Sequence, residues 1–164
     1  LGHDRPGIIA TVTGVLADLG GNLEDSSMTL LRGHFAMTLV VACEPSAEVV
    51  RERVDAALPG DDLVVTALEL PGEGAAPPSG TTYLLTVHGG DRPGIVSAVA
   101  GLVAEHSGNV IDLTTRLAGN LYVLVAEVEV PRDVDVTALE SRLAALADEL
   151  GVEAGLRPSD TDVL

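Results

Sequence analysis

Asp91-Arg92-Pro93-Gly94-Ile95 repeats Asp4-Arg5-Pro6-Gly7-Ile8 at an offset of 87 residues, from position 4 to position 91. The match continues at the same offset. Gly21-Asn22 recurs as Gly108-Asn109, Asp25 as Asp112 and Leu30 as Leu117. Agreement of this kind through a whole segment marks two copies of one supersecondary unit, with the same job for the loops of each copy.

Reading outward from the second copy gives the order of elements. Thr82–Val87 is an apolar, β-prone run that feeds the Gly89–Gly94 loop. Ile95, Val99, Leu102, Val103 and His106 then recur at helical spacing, and Ser107-Gly108 supplies the helix stop. Val110–Leu117 and Leu121–Val130 read as two strands around a Gly119-Asn120 turn. Thr137 and Glu140 stand at capping-box spacing ahead of a Leu139, Leu143, Leu146, Leu150 stripe. Val152–Leu156 closes the unit as a short strand. The resulting βαββαβ order predicts an α+β fold: two tandem ferredoxin-like modules, each an antiparallel sheet with helices on one face.

The first copy predicts a helix over Ile8–Leu19, strands over Leu23–Leu31 and Phe35–Cys43, a helix over Ser46–Leu58 and a closing strand over Leu63–Leu70. Its first strand has no counterpart, because the match to Tyr83–Val87 would precede Leu1. That strand is central in this fold, and without it backbone groups would go unpaired. The expectation is therefore that the natural protein has further residues upstream. The boundaries read as module 1 over 1–70, a Pro- and Gly-rich linker over 71–81, module 2 over 82–158 and an acidic tail over 159–164.

Composition limits the function classes. The 164 residues carry 25 acids against 9 bases, for a net charge of −16. A surface this acidic repels phosphate backbones, so no direct nucleic-acid binding is expected. All nine bases are Arg, which removes Schiff-base lysines and the lysine of a P-loop. Aromatic residues are 2%, too few to build stacking platforms. The single Cys forms no internal disulfide and points to a reducing, cytoplasmic setting. No apolar run is long enough to span a membrane.

The chemistry concentrates in the repeated loop. Asp-Arg-Pro-Gly lies where a strand meets a helix start, and a helix start offers free N–H groups and a partial positive charge. Such a place receives a carboxylate. Gly7 and Gly94 remove the side chain that would block close approach. Asn22 and Asn109 begin the next strand and offer both donor and acceptor to an amino-acid zwitterion, and Asp4 and Asp91 could accept from its ammonium. A purely structural reading stays open beside this one. Asp4 and Asp91 could be helix caps, with Pro setting the first turn and Gly-Asn a plain helix stop.

Taken together, these residues resemble the ACT domain. Asn22-Leu23-Glu24-Asp25-Ser26, followed by Met28, Leu31, Gly33 and Phe35, is similar to the glycine cleavage system transcriptional repressor group of stand-alone tandem ACT proteins. The resemblance covers nearly the whole chain. It implies modules that pair side by side or back to back, a homodimer, and a small amino acid, glycine or serine, held at module interfaces. By that resemblance the ligand contacts are Asp4, Gly7, Ile8, Asn22 and Leu23, with Asp91, Gly94, Ile95, Asn109 and Val110 in the second copy. There Ile111 replaces Glu24 and Leu113 replaces Ser26, so the second site is expected to be altered or structural. The implied action is on a regulatory protein partner, with no cofactor, no metal and no catalytic residue.

Other signals read as structure. Asp133-Val134-Asp135-Val136-Thr137 matches a phosphatase nucleophile loop, but too few residues follow to build that domain, so it reads as a turn and helix cap. Cys43 reads as a small core residue. The four His do not cluster at ligand spacing. Glu127 and Glu129 alternate with apolar neighbours as on a solvated strand face. Besides the amino-acid sensor, two functions fit the sequence: a regulatory subunit of an amino-acid or one-carbon enzyme, and a pairing module without a ligand.

Overall fold

The computed structural model describes residues 1–58, 60, 62–71 and 80–159. The chain divides into two compact units, Leu1–Gly74 and Ala75–Leu164. Of the expected linker, 72–79 lie outside the described residues, as do 160–164 of the tail.

The first unit runs β1 (Gly2–His3), α1 (Ile8–Asp18), β2 (Asn22–Leu31), β3 (His34–Ala42) and α2 (Ala47–Ala57). Its sheet has the order β1-β3-β2, all antiparallel. Ile8, Val12 and Leu16 stand four residues apart on α1 and form the stripe that meets Phe35, Val54, Leu58 and Leu63 in the core. Arg32 and Gly33, at φ 51° and 84°, turn β2 into β3 in the two-residue hairpin geometry that matches strand twist.

The second unit runs β4 (Gly80–Gly90), α3 (Ile95–Glu105), β5 (Asn109–Ala118), β6 (Leu121–Pro131), α4 (Val136–Leu150) and β7 (Val152–Pro158). The antiparallel order β5-β6-β4-β7 completes the ferredoxin-like module. Leu85 and Val87 of β4 and Leu124, Ala126, Val128 and Val130 of β6 alternate onto one sheet face. Ile95, Val99, Leu102 and Val103 of α3 and Leu139 and Leu143 of α4 bury that face. Glu127 and Glu129 point the other way, as the alternation predicts, though both are half-buried.

β1 stands where Gly89 and Gly90, the last two residues of β4, stand in unit 2, and it pairs with Phe35 and His34. Three expectations are corrected. The closing stretch over Leu63–Leu70 is not a regular strand; it pairs through the Gly2–Leu63 bridge and through backbone hydrogen bonds exchanged between Leu1 and Val64 at 2.8 and 3.0 Å. Asp135, not Thr137, caps α4, its Oδ1 accepting from the Ala138 N–H at 3.2 Å. The left-handed residue after α3 is Ser107, at φ 56°, and not Gly108. Gly108 is needed for space instead, since a Cβ there would stand 2.8 Å from Val103 Cγ1 and 3.1 Å from the Val103 carbonyl oxygen.

Candidate functional site

The repeated loop is a tight turn set by two residues. Pro6 fixes its own φ near about −65°, and Gly7 stands at φ 95°, ψ −7°, the third-position values of a type II turn. Gly94 repeats this at φ 96°, ψ −7°. Only glycine adopts that conformation without strain. The turn delivers the chain into α1, whose first hydrogen bond runs from the Thr11 N–H to the Gly7 carbonyl at 2.9 Å, and into α3, where Ala98 donates to Gly94 at 2.9 Å. The N–H groups of Ile8, Ile9 and Ala10 precede that first bond and have no intrahelical acceptor. No side chain caps either helix. Asp4 and Asp91 therefore do not serve as helix caps. Asp4 is exposed, and its backbone N–H donates to the Gly33 carbonyl at 3.2 Å.

An open hollow of about 460 Å³ lies over the start of α1, lined by Arg5, Pro6, Gly7, Ile8, Ile9, Ala10 and Phe35. A second, of about 240 Å³, lies between α1 and the sheet, lined by Ile9, Thr13, Leu23, Ser26, Ser27, Met28, Met37 and Leu39. Ile9 borders both. Gly7 and Ile8 thus meet in the first hollow and Leu23 lines the second, while Asp4 and Asn22 line neither. The Ile8 and Ile95 side chains are core residues, 4% and 2% exposed, which leaves only their main-chain N–H groups for a ligand. Val110 packs against the core of unit 2. Asn22 and Asn109 are exposed at the first residue of β2 and β5. An eleven-residue helix separates Asn22 from Gly7, so the two lie about 16 Å apart along its axis.

Three features were not foreseen. Arg5 Nη1 donates to Asp62 Oδ1 at 3.1 Å, an ion pair between a half-buried Arg5 and an exposed Asp62 that joins the loop to the residue ahead of Leu63. A bulge at Glu24 in β2, and at Ile111 in β5, shifts the strand register by one. It lets Leu23 and Met28, five apart, share the helix-facing side. The odd spacing of those two apolar residues was the available signal. The His rings are dispersed. His3 and His34 sit 5.1 Å apart by centroid, His88 pairs with Glu153 at 3.1 Å and His106 Nδ1 lies 2.9 Å from the Leu102 carbonyl. Among the described residues no three His, Cys, Asp or Glu gather as metal ligands. Cys43 is half-buried, its Sγ 3.6 Å from the Pro45 carbonyl. Among the same residues no helix is long and apolar enough to cross a membrane.

Known proteins align with both units. The glycine cleavage system transcriptional repressor of Escherichia coli is 24% identical over 166 residues, covering 95% of this chain and 85% of its own. A UPF0237 protein of Methanopyrus kandleri is 35% identical over 81 residues, covering 49% of this chain and 90% of its own. Among solved structures, an unknown protein from Galdieria sulphuraria superposes with a TM-score of 0.78 at 27% identity, covering 96% of this chain and 94% of its own. A provisionally assigned glycine cleavage system transcriptional repressor superposes at 0.63 and 21% identity, covering 95% and 91%, a likeness of fold. The ACT domain model matches residues 1–63 and again 81–156, so the two copies announced by the repeated Asp-Arg-Pro-Gly loop are two ACT domains, and the chain belongs to the ACT domain family.

Proposed function

We propose that this chain is a cytoplasmic regulatory sensor, a homodimer that holds glycine or serine between modules and passes the signal to a regulatory protein partner. One observation carries the reading. In each unit the turn at Gly7 or Gly94 leaves the first helical N–H groups uncapped by side chains, and in unit 1 they face an open hollow. Amides so arranged suit a carboxylate. An Asn of an adjoining module would answer the ammonium. The span of α1 supports this division, because a molecule the size of glycine cannot reach Gly7 and Asn22 of one unit together. The similarity to the Escherichia coli repressor supports the regulatory role. The net charge of −16 favours action through a protein over contact with DNA.

A thermal-shift screen of the full chain with the twenty amino acids tests this. A ligand at a hundredfold excess over its Kd stabilises the folded state by about 2.7 kcal/mol. Glycine or serine should raise the melting temperature, and Asn22→Ala should remove the rise without lowering the basal melt. A flat response to all twenty would dismiss the sensor. That outcome would favour a pairing module, for which the half-exposed Leu23, Met28 and Leu30 on β2 provide an apolar edge.

A further inference from the structure

The residues just before the candidate turn lie, in both units, against the place where the second helix gives way to the closing stretch. In unit 1, Arg5 bridges to Asp62 at 3.1 Å, and a Cβ at Gly60 would stand 3.5 Å from the same Nη1. Three residues earlier, Gly2 lies so close to the Asp62 carbonyl that no side chain fits between them. In unit 2 the matching Arg92 lays its guanidinium 3.1 to 3.2 Å from where a Cβ would stand on Gly151, the left-handed residue that ends α4. The matching Gly89 is equally tight, with a Cβ position 2.8 to 3.0 Å from Val152. A glycine and an arginine three apart, repeated at the same offset, make the same pair of contacts twice. The receiving residues differ: Asp62 is an acid, and Arg92 has no acidic partner among the described residues.

We infer that Arg5 is a positioning residue, which acts through Asp62 to hold the Asp4–Gly7 turn in the orientation that presents the α1 amides. Without it the turn keeps one backbone bond, from Asp4 N–H to Gly33, and the helix it leads into. The stretch between would gain freedom that a ligand must then remove. The amino-acid consequence rests on the sensor reading, whereas the ordering of the turn does not.

The experiment measures backbone order parameters of the ligand-free full chain by NMR, alongside calorimetric titration with glycine and serine. Arg5→Gln and Asp62→Asn should each lower the order parameters of Arg5 and Gly7 from about 0.85 toward the flexible range below about 0.6, with β3 unchanged. The charge swap Arg5→Asp with Asp62→Arg should restore them. Affinity should fall about two- to fivefold in the single variants, the range of a partly exposed ion pair, and return in the swap. Order parameters that stay at the wild-type value in both single variants overturn the inference. A wild-type chain that binds neither amino acid overturns the sensor reading alone, and the order parameters still decide the role of Arg5.

Discussion

Replacing Gly94 with Ala isolates what the turn demands of its third residue. Nothing lies within 4 Å of the position a Cβ would take there, and the same is true at Gly7. The cost of a side chain is therefore conformational and not steric. At φ 96° an L-residue sets its Cβ against the following carbonyl, at about 1–2 kcal/mol. For a unit of this size each kcal/mol moves the midpoint by about 4–8 °C, so Ala should lower it by about 4–16 °C. Asn tolerates the left-handed region and should lose less, whereas β-branched Val should lose more. The assay is built into the sequence: there is no Trp, and both tyrosines, Tyr83 and Tyr122, belong to unit 2. Tyrosine fluorescence through a thermal ramp of the full chain thus follows that unit. The reasoning fails if Ala melts with Gly, or if the order of losses is not Asn, Ala, Val.

Ser107 offers the reverse change. It holds φ 56° where its counterpart Gly20 holds 73°, so Ser107→Gly relieves strain of about 1–2 kcal/mol against about 0.5–1 kcal/mol of added unfolded-state entropy, and tyrosine-monitored urea unfolding should show a gain. Asp135→Ala removes the acceptor for the Ala138 N–H and should cost about 1 kcal/mol in the same measurement; Thr137→Ala should cost less. Glu48 accepts a hydrogen bond from Arg51 at 2.6 Å, which holds its carboxyl below the ordinary glutamate value. What that pair adds to stability is present above the ordinary value and is lost as pH falls through the lowered one. An NMR titration should find Glu48 below the ordinary glutamate value and moved back toward it by Arg51→Gln.

What could be read from the sequence was local geometry. Pro followed by Gly named the loop, Gly119-Asn120 named a hairpin, and the spacing of Ile95, Val99, Leu102 and Val103 named the buried helix face. The misses have physical causes. Asp135 and Thr137 are both competent caps, and only the position at which the backbone enters α4 chooses between them. Ser107-Gly108 contains the expected stop, yet it is Ser107 that takes the left-handed φ, while Gly108 fills the tight space against Val103. The bulges at Glu24 and Ile111 turn a period-two pattern out of phase, so faces assigned by simple alternation along β2 would be wrong beyond Leu23. The ion pair of Arg5 joins residues 57 apart, a distance over which no pattern speaks.

The deeper division is between what a segment can do and what its neighbours let it do. Val64-Val65-Thr66-Ala67-Leu68-Glu69-Leu70 alternates apolar and β-prone residues at least as well as β7, yet Val64, Leu68 and Leu70 stand 67, 78 and 68% exposed. Across β7 seven residues pair with β4, from Tyr83 to Gly89. Strand propensity is a fit to a pleated, half-buried surface, and the residues beside a segment decide how far it is realised. The candidate site obeys the same logic. In the proposed reading Gly7 and Asn22 each answer one end of a zwitterion, but α1 holds them at opposite ends of its length. A repeated motif reports that two copies share a local geometry. Whether that geometry becomes a binding site depends on what lies beside it, so amino-acid binding should be lost wherever module pairing is lost. Leu30→Arg, on the exposed β2 edge, would separate the two in a sedimentation and calorimetry pair: a monomer that still binds glycine or serine at full strength would place the whole site within one chain.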